Sequence, residues 1–298
     1  MKKKSNFLTR LITGFCLMII LVPAVYFGGI FYLILTSILS YIATFELLNM
    51  FYTKKTNLKT MRFILPIFSS LTIFSFYFAI INKNGFIAFI PIILGIVVSM
   101  MFAIFKDGTD ADDISSCVIS LIYGGLLFAC AFSVEHLKPI QFESDEMFSI
   151  SGRLFGYLAA VVFSTDIFAY CFGMLFGKHR LCPKISPKKS VEGAIAGLVL
   201  GALVGTVTAI LLKVVPFNGE FTTMNKCLII VGVYVLSLII SAMGQIGDLV
   251  ASKLKRSYEI KDYGFIFPGH GGVMDRFDSI IFSGAILFIL IEIIYLFF

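Results

Sequence analysis

The chain has 298 residues, of which 58% are hydrophobic and 14% charged, with a formal net charge of +6 and a mean hydropathy of +0.96. A soluble domain is about 45–50% apolar, so the composition excludes an ordinary soluble enzyme or binding module. It predicts an all-α polytopic integral membrane protein. The six cysteines (Cys16, Cys117, Cys130, Cys171, Cys182 and Cys227) mostly sit inside apolar runs without C-x-x-C or paired spacing. That pattern supports neither a disulfide framework nor a zinc site and leaves them as small buried hydrophobes.

In chain order, Met1 to Arg10 is basic and an apolar run begins at Leu11. No small-residue cleavage site follows Val25 and the apolar character continues through Phe51, so a retained helix is expected rather than a signal peptide. A spanning helix needs about 20 apolar residues. Nine stretches qualify: 11–28, 30–51, 63–82, 86–105, 114–134, 154–176, 194–215, 227–247 and 277–297, the first two parted only by Gly28–Gly29. No composition shift marks a soluble domain. The expected division is residues 1–134, an N-terminal set of about five helices, and residues 135–298, a C-terminal membrane region that holds both long polar loops.

Lys and Arg counts set the orientation. With the N-terminus cytoplasmic, nineteen Lys/Arg fall on the cytoplasmic side and five (Lys83, Lys138, Arg153, Lys213, Lys226) on the other. The expectation is about nine transmembrane helices, N-terminus in and C-terminus out, with the polar loops 177–193 and 248–276 on the cytoplasmic face. The positive charge then reflects topology and anion handling, with no nucleic acid as partner. The acidic run DGTDADD at 107–113 lacks the bidentate Glu of a calcium loop and reads as a solvated turn and helix start. His136, in the acidic segment 135–151, is expected to be solvated.

The chemistry-bearing residues gather at the cytoplasmic ends. Asp166 lies inside an apolar run with Tyr170 and Gly173 on one helical face. A carboxylate there needs a partner, a metal or a proton; a neutral Asp bonded between helices is the alternative. The loop GKHRLCPKISPKKSVEG carries Lys178, His179, Arg180, Lys184, Lys188 and Lys189. A plain positive-inside loop explains the charge, but its prolines and the Ser190 helix start favour a shaped anion site. If the eighth helix continues past Asp248, then Ser252, Lys255 and Arg256 share its face, placing the carboxylate beside a hydroxyl and two cations. The turn P-G-H-G-G follows Lys261–Asp262; Gly269, Gly271 and Gly272 let a phosphate approach the backbone, and His270 is an anion donor or proton shuttle. Asp275 and Asp278, with Arg276 between them, open the last helix. Helix capping accounts for this pair, but with Asp248 they make a plausible divalent-metal site, and hard oxygens suit Mg²⁺. The residues point to metal-assisted phosphoryl chemistry at the cytoplasmic membrane face.

Residues 252–278 resemble the signature of the phosphatidate cytidylyltransferases (CDP-diacylglycerol synthases) without a gap. Ser252, Leu254, Lys255, Arg256, Lys261, Asp262, Gly264, Phe267, Pro268, His270, Gly271, Gly272, Val273, Asp275, Arg276, Phe277 and Asp278 all match. Gly247–Asp248, Asp166 with Tyr170, Gly177 to His179 and Ser186 to Gly193 also fit. The N-terminal half matches only as a bundle of apolar helices, and Val191 stands where the family usually has Trp, which is expected to alter packing or lipid contact rather than chemistry. The resemblance implies CTP + phosphatidate → CDP-diacylglycerol + diphosphate, in phospholipid biosynthesis at a bacterial-type inner membrane. It further implies Mg²⁺, with K⁺ nearby, on Asp248 and Asp275; Asp278 and Asp166 are further candidate ligands. His270, Lys255 and Arg256 join Asp248 and Asp275 as catalytic candidates. Lys261, Arg276, Ser252, Lys188, Lys189, Gly271 and Gly272 are substrate-binding candidates. A homodimer is also implied. A CDP-alcohol phosphatidyltransferase would need an A-R after D-G, and a transporter would show two similar halves; neither pattern is present.

Overall fold

The computed structural model of the chain describes residues 2–54, 56–137, 152–215, 222–269 and 271–297. Among the described residues eight helices are long and apolar enough to cross a membrane, and α1 (Lys2–Phe27) adds the shorter apolar stretch Thr13–Phe27. All nine expected stretches are therefore helical. They continue as α2 (Gly29–Tyr52), α3 (Met61–Ile81), α4 (Phe86–Phe105) and α5 (Ala111–Ser120). A π-helical turn, Leu121–Leu127, leads from α5 into α6 (Phe128–Ser133), and α7 (Arg153–Phe176), α8 (Val191–Leu211), α9 (Thr223–Ser257) and α10 (Met274–Phe297) follow. The break between α1 and α2 is made by Gly28 and Gly29, with φ of 59° and 58°, a left-handed conformation that side chains resist.

Two local outcomes concern polar segments. Asp110 and Asp113 form a reciprocal capping box: the Asp113 N–H donates to Asp110 Oδ1 at 2.9 Å and the Asp110 N–H to Asp113 Oδ2 at 3.1 Å. The acidic run is thus a helix start, as expected. The 177–193 segment is more ordered than an open loop. β1 (Arg180–Cys182) and β2 (Ser186–Ser190) pair antiparallel, with an irregularity between Arg180 and Cys182.

The helices group into two compact units, residues 1–133 with 254–277 and residues 134–253 with 278–298. In the first, α2 packs on α3 and on the π-helical turn. The Ser40 hydroxyl donates to the Gly124 carbonyl at 2.8 Å, and a Cβ on Gly124 would stand 2.8 Å from the Thr44 Cα. Phe128 stacks on Phe132 with ring centroids 4.4 Å apart, and both rings meet Phe277. In the second unit, α8 lays Gly193, Gly197, Gly201 and Gly205 along α7, where a Cβ on Gly197 would stand 2.7 Å from the Thr165 carbonyl. Hydroxyls tie α7 to α9: Tyr157 meets Ser237 at 2.7 Å, and Thr165 donates to Ser241 at 2.8 Å. Ser283 of α10 donates to the Ile240 carbonyl at 2.9 Å. Lipid tails are as apolar as leucine, so close approach of small residues and interhelical hydrogen bonds replace the hydrophobic drive.

Burial corrects two expectations. Only Cys117 and Cys130 are buried, while Cys16 and Cys227 lie on exposed faces, where an apolar thiol meets lipid as readily as core. His136 is not a solvated side chain. Its Nδ1 lies 2.7 Å from the buried Glu135 carboxylate, with 12% of the ring side chain exposed.

Candidate active site

In the second unit, the hairpin is fastened to the start of α8. Ser190 is the N-cap, its hydroxyl accepting from the Gly193 N–H at 3.2 Å. The Glu192 carboxylate accepts from the backbone N–H groups of Lys178 (3.1 Å) and His179 (3.2 Å) and lies 2.6 Å from His179 Nδ1. A Cβ on Gly177 would fall 2.7 Å from the Ser190 hydroxyl, so the G-K-H and S-x-E-G motifs are two sides of one joint. Val191 donates its backbone N–H to the His179 carbonyl at 2.9 Å, a bond any non-proline residue at this position makes.

This joint aims Lys189 at α9. Its Nζ lies 2.5 Å from Asp248 Oδ2, and the Ser252 hydroxyl donates to Asp248 Oδ1 at 3.3 Å. α9 does continue past Asp248, and Ser252 is its neighbour as the spacing implies. Asp166 on α7 is exposed, in the field of both Asp248 and Lys189. Hydroxyl bonds from α7 to α9 are made by Tyr157 and Thr165. Lys188 is exposed, and its carbonyl accepts from the Arg180 guanidinium at 3.5 Å. Asp278 is buried, with Oδ1 accepting from the Ser279 N–H at 2.7 Å, and its carbonyl lies where a Cβ on Gly247 would approach to 2.7 Å.

In the first unit, Asp275 is the centre. Its Oδ1 holds the Lys255 ammonium at 2.7 Å, and its Oδ2 accepts from the N–H groups of Tyr263 (2.7 Å) and Gly272 (3.0 Å). Lys255 therefore does not serve Asp248. Seven residues along a helix separate the two by about 10.5 Å of rise, and the cation on Asp248 comes from Lys189. The glycine turn is closed by paired bonds, Phe267 N–H to the Gly271 carbonyl at 2.9 Å and Gly271 N–H to the Phe267 carbonyl at 3.1 Å. Gly269 and Gly271 have φ of 76° and 90°, which explains glycine at both positions. His270 lies outside the described residues. Arg256, Lys261 and Arg276 are exposed.

Sequence reasoning missed Glu46 of α2. It is 3% exposed, and its carboxylate accepts from the N–H groups of Val273 (3.1 Å) and Met274 (2.9 Å). A Cβ on either Gly264 or Gly272 would overlap this carboxylate, so two glycines of the signature make room for a residue more than two hundred positions earlier. The available signal was an acidic side chain inside an apolar run, which marks a functional candidate by itself.

Among the described residues no three His, Cys, Asp or Glu side chains converge as a ready-made metal cage. Each unit offers an aspartate carboxylate held by a lysine ammonium, Asp248 with Lys189 in one and Asp275 with Lys255 in the other.

The family model described as the cytidylyltransferase family matches residues 8–294. The chain belongs to the cytidylyltransferase family. Among its relatives, the phosphatidate cytidylyltransferase of Bacillus subtilis is 30% identical over 287 residues, covering 95% of this chain and 97% of that protein. Those of Staphylococcus haemolyticus and Staphylococcus aureus are 33% and 34% identical, each covering 95% of this chain and 98% of the relative. This cytidylyltransferase family member therefore aligns with its relatives along its N-terminal helices too, beyond the C-terminal half that the motifs alone had matched. Glu46 shows why that half is more than a generic bundle.

Proposed function

We propose that the chain catalyses CTP + phosphatidate → CDP-diacylglycerol + diphosphate. The observation carrying this reading is the meeting of Lys189 with Asp248 at 2.5 Å. It joins the S-P-K-K-S segment to the G-D of α9, two motifs separated by some sixty residues that this reaction would use together. An oxygen of the phosphatidate phosphate attacks the α-phosphorus of CTP; the new O–P bond forms as the bond to the bridging oxygen breaks, and diphosphate leaves with that electron pair. No protein nucleophile is required, so catalysis is positioning and charge neutralisation.

The chain's residues supply both. Lys188 and Arg180 on the hairpin present exposed cations to the triphosphate, and Lys189 can move from Asp248 to a phosphate because both groups are partly exposed. Lys255, Arg256, Lys261, Arg276 and the Gly271–Gly272 backbone serve the phosphates on the side of Asp275, with Ser252 beside Asp248. His270 is the candidate contact to the leaving diphosphate or to the α-phosphate. For magnesium the proposed donors are Asp248 and Asp275, hard oxygen ligands that each hold a lysine ammonium on one oxygen here. Mg²⁺ takes one or two carboxylates and fills its shell with water and substrate phosphate. When bound, Mg²⁺ would offset the charge gathering on the phosphates; Asp166 and Asp278 are the further candidate ligands, and K⁺ the candidate monovalent partner. The Lys/Arg asymmetry favours a cytoplasmic N-terminus, and the bacterial relatives favour the inner membrane.

The test is incorporation of radiolabelled CTP into lipid by purified protein with Mg²⁺. Phosphatidate is compared with no acceptor, other phospholipids and polyprenyl phosphates. Product only with phosphatidate is expected, and Asp248→Ala or Asp275→Ala abolishes it. Equal labelling of another acceptor would sink the substrate assignment, and wild-type turnover in either variant would sink the metal assignment.

A further inference from the structure

The segment joining α9 to α10, residues 258–273, carries most of the signature, and both of its ends are helix termini. A helix leaves unpaired carbonyls and partial negative charge at its C-terminus, and unpaired N–H groups and partial positive charge at its N-terminus. α10 has no capping side chain of its own at the preceding position, Val273. Both needs are met from α2. Just beyond the end of α2, the Lys54 ammonium donates to the Ser257 carbonyl of α9 at 2.8 Å and lies 5.2 Å from the centroid of the Tyr258 ring. Phe51 meets the same ring edge-on at 5.1 Å. Two turns earlier on α2, Glu46 caps the N-terminus of α10 through Val273 and Met274. A base therefore sits on the negative helix end and an acid on the positive one, eight residues apart in the chain.

We propose that Glu46 is a positioning residue for the transfer reaction, and that with Lys54 it pins both ends of the segment bearing Lys261 to Gly272. The proposal rests on the reading of function above. Glu46 touches no substrate in this account; it acts through its neighbours. Fixing the N–H groups of Val273 and Met274 fixes the point at which the next residue, Asp275, leaves the backbone. Asp275 in turn ties down Tyr263 and Gly272 and holds the Lys255 ammonium. Packing Gly264 and Gly272 against the carboxylate leaves the segment no room to shift toward α2. Neutralising or shortening Glu46 loosens this arrangement without removing a single group that contacts the phosphates.

The experiment compares full-length Glu46→Gln, Glu46→Asp and Ser37→Ala with wild type in detergent micelles. Ser37, also buried on α2, donates its hydroxyl to the Leu33 carbonyl at 2.7 Å, so its loss removes a buried α2 hydrogen bond away from the clamp. Two readouts are taken: kcat and KM for phosphatidate and CTP, and hydrogen exchange of the amides in 258–273. Glu46→Gln, whose amide offers a single oxygen to the two N–H groups, should lower kcat by roughly 10- to 100-fold, the worth of a buried donor left unpaired, with KM for phosphatidate changed less than about two-fold. Exchange in 258–273 should rise in the same variant. Glu46→Asp, which keeps a carboxyl acceptor for one N–H, should recover part of both, and Ser37→Ala should match wild type. Unchanged exchange in Glu46→Gln overturns the clamp, as does a kcat loss shared by Ser37→Ala or left unrecovered in Glu46→Asp. If wild type makes no CDP-diacylglycerol, the reading of function fails on its own, and the exchange measurement still decides the clamp.

Discussion

The Lys255–Asp275 pair sets the sharpest quantitative expectation. Its side chains are 13% and 2% exposed, so breaking it from one side strands a charge in a dry place. Removing one partner of a buried pair costs about 3–5 kcal/mol. In Asp275→Asn the remaining amide oxygen can still accept from the Tyr263 or the Gly272 N–H, which places the loss near the lower end, about 3 kcal/mol. Lys255→Met keeps the apolar stem against the Tyr263 ring, which the ammonium faces at 5.2 Å, and leaves Asp275 its two backbone donors; a loss of about 1.5–3 kcal/mol is expected. The double variant strands no ammonium, so its loss should fall short of the sum by about 2 kcal/mol. The chain has no Trp, but buried Cys117 and Cys130 report unfolding. A thiol-reactive dye followed through a titration with a denaturing detergent gives the free energies, the exposed thiols setting the baseline. Single losses that add to within about 0.5 kcal/mol would refute a direct, dry ion pair.

Three further outcomes are expected. Gly201→Ala should destabilise by about 1–3 kcal/mol through overpacking against Thr165, whereas Gly232→Ala, which meets open space, should be neutral or stabilising by up to about 1 kcal/mol; equal effects in the dye assay would contradict the α7–α8 contact. Lys189→Met should raise the KM for CTP at least about ten-fold, a loss on the scale of one charged hydrogen bond, and an unaltered KM in steady-state kinetics removes Lys189 from the nucleotide. Single cysteines at Lys83 and Lys184 in a cysteine-free background test orientation: an impermeant thiol reagent added to intact cells should reach the first and spare the second, and the reverse pattern inverts the topology.

The helices were legible because each rests on a property of a continuous stretch, its apolar length. Their ends were less so: α9 runs ten residues past the last apolar position expected of it, to Ser257. That extension matters because it carries Ser252 to Asp248 while taking Lys255 out of Asp248's reach. Shared helical face was a sound guide over one turn and a poor one over two. The hairpin 180–190 was hidden by its composition, two prolines and a run of lysines with little β preference; a backbone partner and the Glu192 joint hold it. Glu46 was hidden differently. Its donors lie 227 and 228 residues downstream, and no periodicity within α2 encodes a partner at that distance.

That separation has a consequence in time. Synthesis proceeds at about 5–20 residues per second, so the 227 residues between Glu46 and Val273 take roughly 11–45 seconds to appear. Throughout that interval α2 is made, and ready to insert, with an acidic side chain whose donors do not yet exist. An acidic side chain within a spanning helix is costly until it finds a partner, and those of Glu46 are made last. Arrival of the α10 start removes that cost. A chain stopped short of residue 273 therefore carries Glu46 without the Val273 and Met274 N–H groups that its carboxylate receives here.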